Sequence, residues 1–336
     1  MKIWLPAIRT GSGTDVFTMR LADALTSRGH EAVPQFFAHR YELWPGLLAQ
    51  VSPPPGTDLI HGNSWSAYAF KRKELPLLVT EHHYIADQAF TPLRGTLQRI
   101  YHRSLIQRYV SASYRSADTL IAVSRHTAKA MEGDLKHPVA HIHNWVDLEK
   151  FRPIPGLRPT DSSIRCLFVG NPSARKGSDL LPELAKRLGA GYEILCLGGL
   201  RKSGRPAPGL IQLPRHPPDE MPELYNSVDI VLVPTRYEAF GYVALEAMAC
   251  GLPVVGFDSS GTAEICGHGD TALLGPVDDV GTMVRNIQLL GQNPELRHTL
   301  GTNGRIRAET RFNEVAAVTR YLDAYDQIVS RSRAGD

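Results

Sequence analysis

Cysteine is scarce in this chain: only four of its 336 residues are cysteines, and no two of them form a C-x-x-C pair. They stand far apart in the sequence, and three lie within or beside apolar runs; the four are Cys166, Cys196, Cys250 and Cys266. This spacing argues against a disulfide framework and against a zinc site built from paired cysteines. We therefore expect buried thiols in a protein of a reducing compartment.

Long apolar segments and a strong charge bias are also missing. No stretch approaches the roughly 18 consecutive apolar residues of a membrane-spanning helix, and the apolar run at the N-terminus is too short for a signal peptide. The 37 basic and 34 acidic residues leave a net charge of +3, which does not indicate a nucleic-acid partner. We therefore expect a cytoplasmic protein that has no nucleic acid among its partners.

What the sequence does contain is a regular alternation of short apolar runs and helical patterns, which is typical of a parallel sheet built from βαβ units. Strands are expected at 2–7, 31–37, 58–61, 77–81, 119–123 and 139–143, and after a proline-rich linker at 151–159 again at 164–170, 192–197, 211–213, 229–233 and 253–257. The sequence thus predicts an α/β protein with two doubly wound domains, at 1–155 and 156–313. Ligands of such domains bind at the carboxyl ends of the strands.

A cationic turn follows the first strand of the predicted second domain. The strand is expected to end at Gly170 and a helix to begin near Ser178, with Arg175 and Lys176 between them. Free backbone N–H groups and the helix dipole at such a junction attract an anion, and Lys176 adds a full charge. The alternative is an ordinary surface turn with two solvated cations. A Walker loop is excluded, because GxxxxGK[ST] does not occur.

Two glutamates, Glu238 and Glu246, lie eight positions apart where a loop passes into a predicted helix at 242–250. Gly241 lets backbone N–H groups approach a ligand, and the helix N-terminus favours phosphate. Glu238 can accept hydrogen bonds from sugar hydroxyls, and Glu246 can accept two from a ribose diol. The alternative makes Glu246 a plain surface carboxylate. Its small, apolar neighbours instead indicate a buried helix, in which an acid needs a defined partner.

The E-x7-E pair within EAFGYVALEAMACGLPVV resembles the retaining glycosyltransferases of the GT4 family, which have the GT-B fold. The resemblance covers nearly the whole chain, and its other segments, in the family's order, are RGHEA (28–32), VTEHH (79–83), ADTLIAVS (117–124), HNWVDLEKF (143–151) and FVGNPSARKG (168–177). It implies two facing Rossmann-like domains with a cleft between them. The first would take the acceptor and the second the nucleotide sugar. The final helix, 314–336, would return to the first domain.

The resemblance also implies roles for individual residues. Lys176 would bind the donor diphosphate and Glu246 the nucleotide ribose, while Glu238 would hold the transferred sugar. The remaining donor-binding positions are Gly11, Gly13, Asn171, Arg175, Phe240, Gly241, Tyr242 and Val243, with Arg215 bordering the base. His82 would lie at the reacting face of the sugar, so that His82, Glu238 and Lys176 form the expected catalytic set. His83 is the adjacent alternative to His82.

Two positions depart from the family's pattern. Asn171 stands where an arginine is usual, so one charge contact with the diphosphate is lost, and Arg175 is a candidate to replace it. Trp145 stands where a glycine is usual, which puts a large ring near the predicted hinge. Because of both departures, a protein that binds a nucleotide sugar without catalysing its transfer remains an alternative.

The expected reaction is retaining transfer of a hexosyl group from a UDP- or GDP-linked sugar to a saccharide or lipid-linked acceptor, in cell-envelope or extracellular polysaccharide synthesis. Cations and helix N-termini would stabilise the diphosphate leaving group. No D-x-D sequence occurs, and we expect neither a metal nor another cofactor. A 2-epimerase of nucleotide sugars or a sugar phosphorylase are the competing enzymes. A glycosidase, the usual interpretation of paired carboxylates, is disfavoured because Glu246 suits a ribose better.

The acceptor is harder to predict. Between residues 88 and 117 there are five arginines and no acid, with apolar and aromatic residues interleaved. Such a basic helix, at 94–115, can rest on an anionic membrane surface and meet a lipid-linked acceptor. A peripheral location on the inner face of the membrane would follow. The alternative is an ordinary helix whose arginines are solvated.

Overall fold

The computed structural model describes residues 1–11, 13–157, 163–198 and 208–334, and only the backbone of Gln98. The chain folds into two compact units. One consists of residues 1–144 and the C-terminal segment from Glu314, and is called the N-unit here; the other, Trp145–Asn313, is called the C-unit. The change of unit falls at residue 144, ahead of the expected linker at 151–159, whose last two residues lie outside the described part.

The N-unit contains a six-stranded sheet in which all neighbouring strands are parallel, in the order β2-β1-β3-β4-β5-β6. The strands are β1 Lys2–Ile8, β2 Glu31–Phe37, β3 Leu59–Asn63, β4 Leu77–Glu81, β5 Thr119–Ala122 and β6 Ala140–His141. The helices before the C-unit are α1 Gly13–Thr26, α2 Thr96–Tyr101, α3 Gln107–Ser116 and α4 Arg125–Leu135. A π-helical turn, His102–Ile106, joins α2 to α3.

The C-unit repeats this plan with a second parallel six-stranded sheet, in the order β12-β11-β10-β7-β8-β9. Its strands are β7 Ile164–Val169, β8 Tyr192–Leu197, β9 Leu210–Gln212, β10 Ile230–Val233, β11 Val254–Phe257 and β12 Ala272–Gly275. Its helices are α5 Leu181–Leu188, α6 Met221–Asn226, α7 Tyr242–Ala249, α8 Ser260–Ile265, α9 Val280–Gln292 and α10 Pro294–Arg311. The last strand, β12, was not predicted from the sequence.

The last helix, α11 (Glu314–Ala334), belongs to the N-unit. Tyr325 on α11 contacts the buried His61 of β3, with 2.6 Å between its hydroxyl and Nδ1. The other ring nitrogen of His61 lies 2.8 Å from the hydroxyl of Thr80 on β4. A buried histidine with both nitrogens bonded in this way is a satisfied polar group, so α11 is joined to the sheet by polar contacts as well as by packing.

Both cores are formed where helices cover a sheet whose strands are buried on both faces, as parallel sheets require. All five residues of β4 are buried, and Trp4 of β1 packs edge-on against Phe70 with 5.3 Å between ring centroids. In the C-unit, β7 and β10 pack with α5 and α9. The four cysteines are buried and none is in a disulfide. No helix of the described residues is long and apolar enough to cross a membrane.

Candidate active site

The cationic turn after β7 is packed against the end of β10. Gly177 has a φ of +72°, and a Cβ atom there would lie 2.0 Å from the carbonyl oxygen of Pro234. Only glycine allows both this backbone conformation and this approach. The Ser173 hydroxyl caps the 3₁₀ turn that carries Lys176. A helix was expected to begin near Ser178: a second 3₁₀ turn begins at that residue, and α5 follows from Leu181.

This packing brings Lys176, Arg175 and Glu238 together. The Lys176 ammonium forms a short ion pair with Oε2 of Glu238. The Arg175 guanidinium lies 3.3 Å from the same oxygen and also donates to the carbonyl of Tyr237 at 3.2 Å. The backbone N–H of Glu238 donates to the hydroxyl of Ser260 at 2.8 Å. Two cations therefore share one carboxylate, and the cluster keeps one net positive charge that can attract an anion.

The helix α7 begins at Tyr242, four residues after Glu238. Gly241 precedes the helix with a φ of +108°, a conformation that residues with a side chain rarely adopt, and no side chain caps the helix there. Phe240 is buried, and its ring meets that of Tyr242 edge-on at 5.3 Å. Tyr242 and Val243 form the half-buried first turn of α7. The first backbone N–H groups of a helix are free to bind an anion.

Glu246 has the defined partner that a carboxylate in a buried helix needs. The hydroxyl of Tyr225, which is fully buried on α6, donates a hydrogen bond to Oε2 of Glu246 at 3.1 Å. This contact limits the rotation of the carboxylate. The sequence analysis did not single out Tyr225. The available signal was a tyrosine just ahead of an apolar strand, which on its own indicates only packing.

Other predicted donor residues lie apart from this cluster or in the N-unit. Asn171 is exposed after Gly170, and Arg215 is exposed in the loop after β9. Gly11 and Gly13 follow β1 in the N-unit, and Ser12 between them lies outside the described residues. The backbone N–H of Gly11 donates to the carboxylate of Asp15 at 2.7 Å, so an acid of α1 occupies this turn.

His82 follows β4 and borders a cavity in the N-unit. Its ring meets that of Phe17 edge-on at 4.5 Å, and burial lowers its pKa to about 3. His82 is therefore neutral at physiological pH and can exchange hydrogen bonds without adding charge. His83, the alternative, lies with its ring against Phe90 at 4.6 Å, and its backbone N–H donates to Glu81 at 2.7 Å.

The cavity has a volume of about 250 Å³ and lies at the carboxyl ends of β1, β3 and β4. His82 and His83 line it together with Glu42, Trp65 and short polar side chains. The sequence analysis missed Glu42 and Trp65, because neither belongs to a recognisable motif. In the part of the chain that the structure describes, no group of three or more His, Cys, Asp or Glu residues could hold a metal ion.

Comparison with known families identifies this architecture. The model for glycosyl transferases group 1 matches residues 154–307, and the model for glycosyltransferase family 4 matches residues 32–150. Two parallel α/β units of this kind form the GT-B fold. The chain belongs to the GT4-type glycosyltransferases, as the E-x7-E segment predicted, and it is a transferase.

Individual relatives are distant. A D-inositol 3-phosphate glycosyltransferase of Mycobacteroides abscessus is 28% identical over 326 residues, which cover 81% of this chain and 71% of the relative. Sucrose-phosphate synthase of Thermosynechococcus elongatus superposes with a TM-score of 0.79 at 19% identity, covering 98% of this chain and all of the other. The Anabaena protein HepE, solved with UDP-glucose, gives a TM-score of 0.79 at 16% identity, covering 97% and 100%. At such identities the structures show the fold alone.

Proposed function

We propose that this protein transfers a hexosyl group, with retention and without a metal ion, from a UDP- or GDP-linked sugar to a saccharide or lipid-linked acceptor. Polysaccharide synthesis for the cell envelope or the cell exterior is the proposed setting. The observation that carries the proposal is the cluster of Lys176 and Arg175 on Glu238, beside the N-terminus of α7. HepE, which shares the fold, was solved with UDP-glucose, in agreement with a nucleotide-sugar donor.

In the proposed mechanism, the cluster exchanges one anion for another. Without a ligand, Glu238 neutralises part of the charge of Lys176 and Arg175. A donor diphosphate would take over these cations, which stabilise the negative charge that grows on the leaving group as the glycosidic bond breaks. The Glu238 carboxylate is then released to accept hydrogen bonds from hydroxyls of the transferred sugar. Arg175 thereby supplies the charge that Asn171 lacks.

Glu246 would hold the nucleotide. Because the Tyr225 hydroxyl occupies one side of its Oε2, the carboxylate has a set orientation with further acceptor capacity for the ribose hydroxyls. His82 is proposed to act at the reacting face of the sugar as a neutral hydrogen-bonding group, consistent with its low pKa. A cation at that place would repel the positive charge that develops on the sugar ring.

A panel of UDP- and GDP-sugars tests the donor assignment by equilibrium binding. We expect one nucleotide class to bind, and Glu246→Ala to weaken that binding about 10-fold or more through the loss of charged hydrogen bonds. Glu295→Ala, an exposed glutamate of α10, is the control and should bind normally. Unchanged affinity in Glu246→Ala would contradict the assignment.

The reaction type needs separate measurements. Transfer predicts that the nucleoside diphosphate is released faster when an acceptor is added, whereas an epimerase converts the donor without one, and a binding protein does neither. NMR of the product would establish the configuration at the anomeric carbon, with retention as the expected result. Activity that persists in a chelator supports transfer without a metal; loss of activity that Mg²⁺ or Mn²⁺ restores would contradict it.

We also propose that the N-unit rests on an anionic membrane surface through a patch formed by two segments. Trp44 and Leu47 are exposed on one segment, and Leu97 and Ile100 on α2, with 85% of Leu97 accessible. The Tyr109 hydroxyl donates to the carbonyl of Leu43 at 2.7 Å. Tyr109 lies on α3, which follows α2 through the π-helical turn, so this bond ties the first segment to the helical stretch that carries the second. The surrounding cations are the exposed Arg99, Arg103 and Arg108. Exposed tryptophan and leucine beside arginine are typical of interfacial contact.

Vesicle binding tests this patch. We expect salt-sensitive binding to vesicles that contain phosphatidylglycerol and none to pure phosphatidylcholine. A variant with Arg99, Arg103 and Arg108 changed to glutamate should lose it, while the same change at three arginines of the C-unit, Arg285, Arg311 and Arg187, should not. Binding that does not depend on salt or on the N-unit arginines would overturn the proposal.

A further inference from the structure

The cavity of the N-unit is lined by two glutamates and by two histidines. Glu42 and Glu81 both line it, and no lysine or arginine does so among the residues that the structure describes. Hydroxyl and amide groups make up much of the rest, including those of Thr10, Asn63 and Ser66. The cavity is therefore rich in hydrogen-bonding groups, and no lysine or arginine among its described lining residues offers a positive charge to a ligand.

Arginines near the cavity residues in sequence pack over aromatic rings. Arg40, two residues before Glu42, has its guanidinium over the ring of Tyr41 at 5.3 Å. The Arg9 guanidinium, next to the cavity residue Thr10, packs over the ring of Phe36 on β2 at 5.0 Å. Arg94 packs over the ring of Phe90 at 5.1 Å and donates to the hydroxyl of Thr91 at 2.8 Å. Cation–π contacts of this kind hold a guanidinium in place. All three guanidinium groups are thus held against aromatic rings, and none of these arginines is among the residues that the structure shows lining the cavity.

Glu42 is held at the cavity by neighbouring groups. Its carboxylate lies 3.2 Å from Nδ1 of His39, and the hydroxyl of Tyr101 also donates to it. About a fifth of the Glu42 side chain remains exposed. Glu81 is fully buried, and both of its oxygens accept hydrogen bonds, from the Tyr114 hydroxyl and from the backbone N–H of His83. Glu42 is therefore the acid that a ligand in the cavity would meet.

Trp65 offers the cavity a large aromatic surface. Its side chain is half-buried, and its ring meets that of His102 edge-on at 5.9 Å, so the ring is fixed from one side. A fixed indole surrounded by hydroxyl and amide groups suits a ligand that has both C–H faces and hydroxyls, because the ring supplies apolar contact and the polar groups supply hydrogen bonds.

We propose that this cavity binds the acceptor as an uncharged saccharide and excludes phosphorylated acceptors, with Glu42 as the residue that determines this specificity. The inference rests on the proposed glycosyl transfer and names the acceptor class for it. A phosphate group a few ångströms from the Glu42 carboxylate meets like-charge repulsion without a compensating cation. The expected preference for a neutral saccharide over its phosphorylated counterpart is about 100-fold.

Matched acceptor pairs test the proposal: glucose against glucose 6-phosphate, and myo-inositol against inositol 1-phosphate. Each probe is measured for direct binding and for its effect on release of the nucleoside diphosphate. In the unaltered protein, a neutral probe should bind and accept at least about 10-fold better than its phosphorylated partner. Glu42→Gln should reduce this preference about 10-fold, and Glu42→Lys should reverse it. Glu74→Lys, an exposed glutamate of the same unit, should leave it unchanged.

The outcomes separate this inference from the function on which it rests. If donor sugars do not bind at all, the proposed function fails. If donors bind but phosphorylated probes are preferred, or no neutral saccharide binds or accepts, the cavity assignment is overturned. A purely structural role of Glu42 would lower the unfolding temperature and total activity of Glu42→Lys while leaving the ratio between neutral and phosphorylated probes unmoved, and that result also overturns the proposal.

Discussion

The two units build polar sites at the carboxyl ends of similar sheets, yet the site of the C-unit is centred on cations and that of the N-unit is not. Lys176, Arg175 and Glu238 form a partly exposed ionic cluster in the C-unit. In the N-unit, burial keeps His61 and His82 neutral by lowering the pKa of each to about 3. The difference matches the two tasks proposed above, in which one site would hold and stabilise a diphosphate and the other would hold hydroxyl groups.

The same contrast appears in how each site is supported. Ion pairs that keep contact with solvent can be exchanged for a ligand, because water and the ligand replace the lost partner. A buried neutral network cannot be exchanged so easily, since every unpaired group costs free energy. The His61 ring, bonded to Tyr325 and Thr80, is of this second kind. We therefore expect ligand-dependent rearrangement in the cluster of the C-unit and rigidity around His61.

The largest expected effect comes from removing the principal cation of the C-unit. Lys176→Ala should lower kcat/KM for the donor about 100- to 1000-fold, because a charged donor to the leaving group is lost. Lys186→Ala, an exposed lysine on α5, is the control and should keep full activity. Equal activity of the two variants would mean that turnover of the donor does not depend on the charge of Lys176.

A smaller effect tests the position of this cation and not its charge. Gly177→Ala places a methyl group against the Pro234 carbonyl in a left-handed backbone conformation, so the turn with Lys176 has to move. Gly269→Ala also has a positive φ, +78°, but meets nothing within 4 Å. Both should lose about 1–2 kcal/mol of stability from the backbone conformation. In denaturant unfolding and donor-binding measurements, only Gly177→Ala should lose more stability and also bind the donor more weakly.

Sequence reasoning predicted the two sheets and several site residues but not their contacts. Buried parallel strands read as apolar runs, so eleven of the strands were recognised, whereas the four residues of β12 follow a glycine-rich turn and give too short a signal. Lys176 and Glu238 were both selected by motif. Their ion pair joins residues 62 positions apart and depends on β10 lying next to β7, a neighbour relation that local patterns do not contain. The same limit hid Glu42.

Acid should destabilise the protein through the N-unit. The pKa of His61 is about 3 in the folded state and about 6.5 when unfolded, so between these values the unfolded state binds a proton that the folded state does not. The contribution of His61 to the free energy of unfolding is therefore fully present above pH 6.5. It falls as the pH decreases, by about 1.4 kcal/mol per pH unit. Denaturant unfolding at pH 7.5, 6 and 5 measures the slope. His61→Gln should make the slope shallower, and His82, whose pKa burial also lowers to about 3, should account for part of the remainder; an unaltered slope in His61→Gln would show that other groups cause it.

The smallest expected effect lies at a hydrogen bond of the C-unit that, like those of His61, involves a fully buried side chain. Tyr225→Phe removes the hydrogen bond that orients Glu246, with a cost of about 1 kcal/mol, or about 5-fold in donor affinity. Tyr192→Phe on β8 is the control. If Tyr225 acts by positioning Glu246 against the ribose, a donor with 2′-deoxyribose should lose less affinity in the variant than the natural donor does. Equal losses for both donors would show that the hydroxyl of Tyr225 does not act through the ribose, because a positioning role has to depend on the hydroxyl group that Glu246 binds.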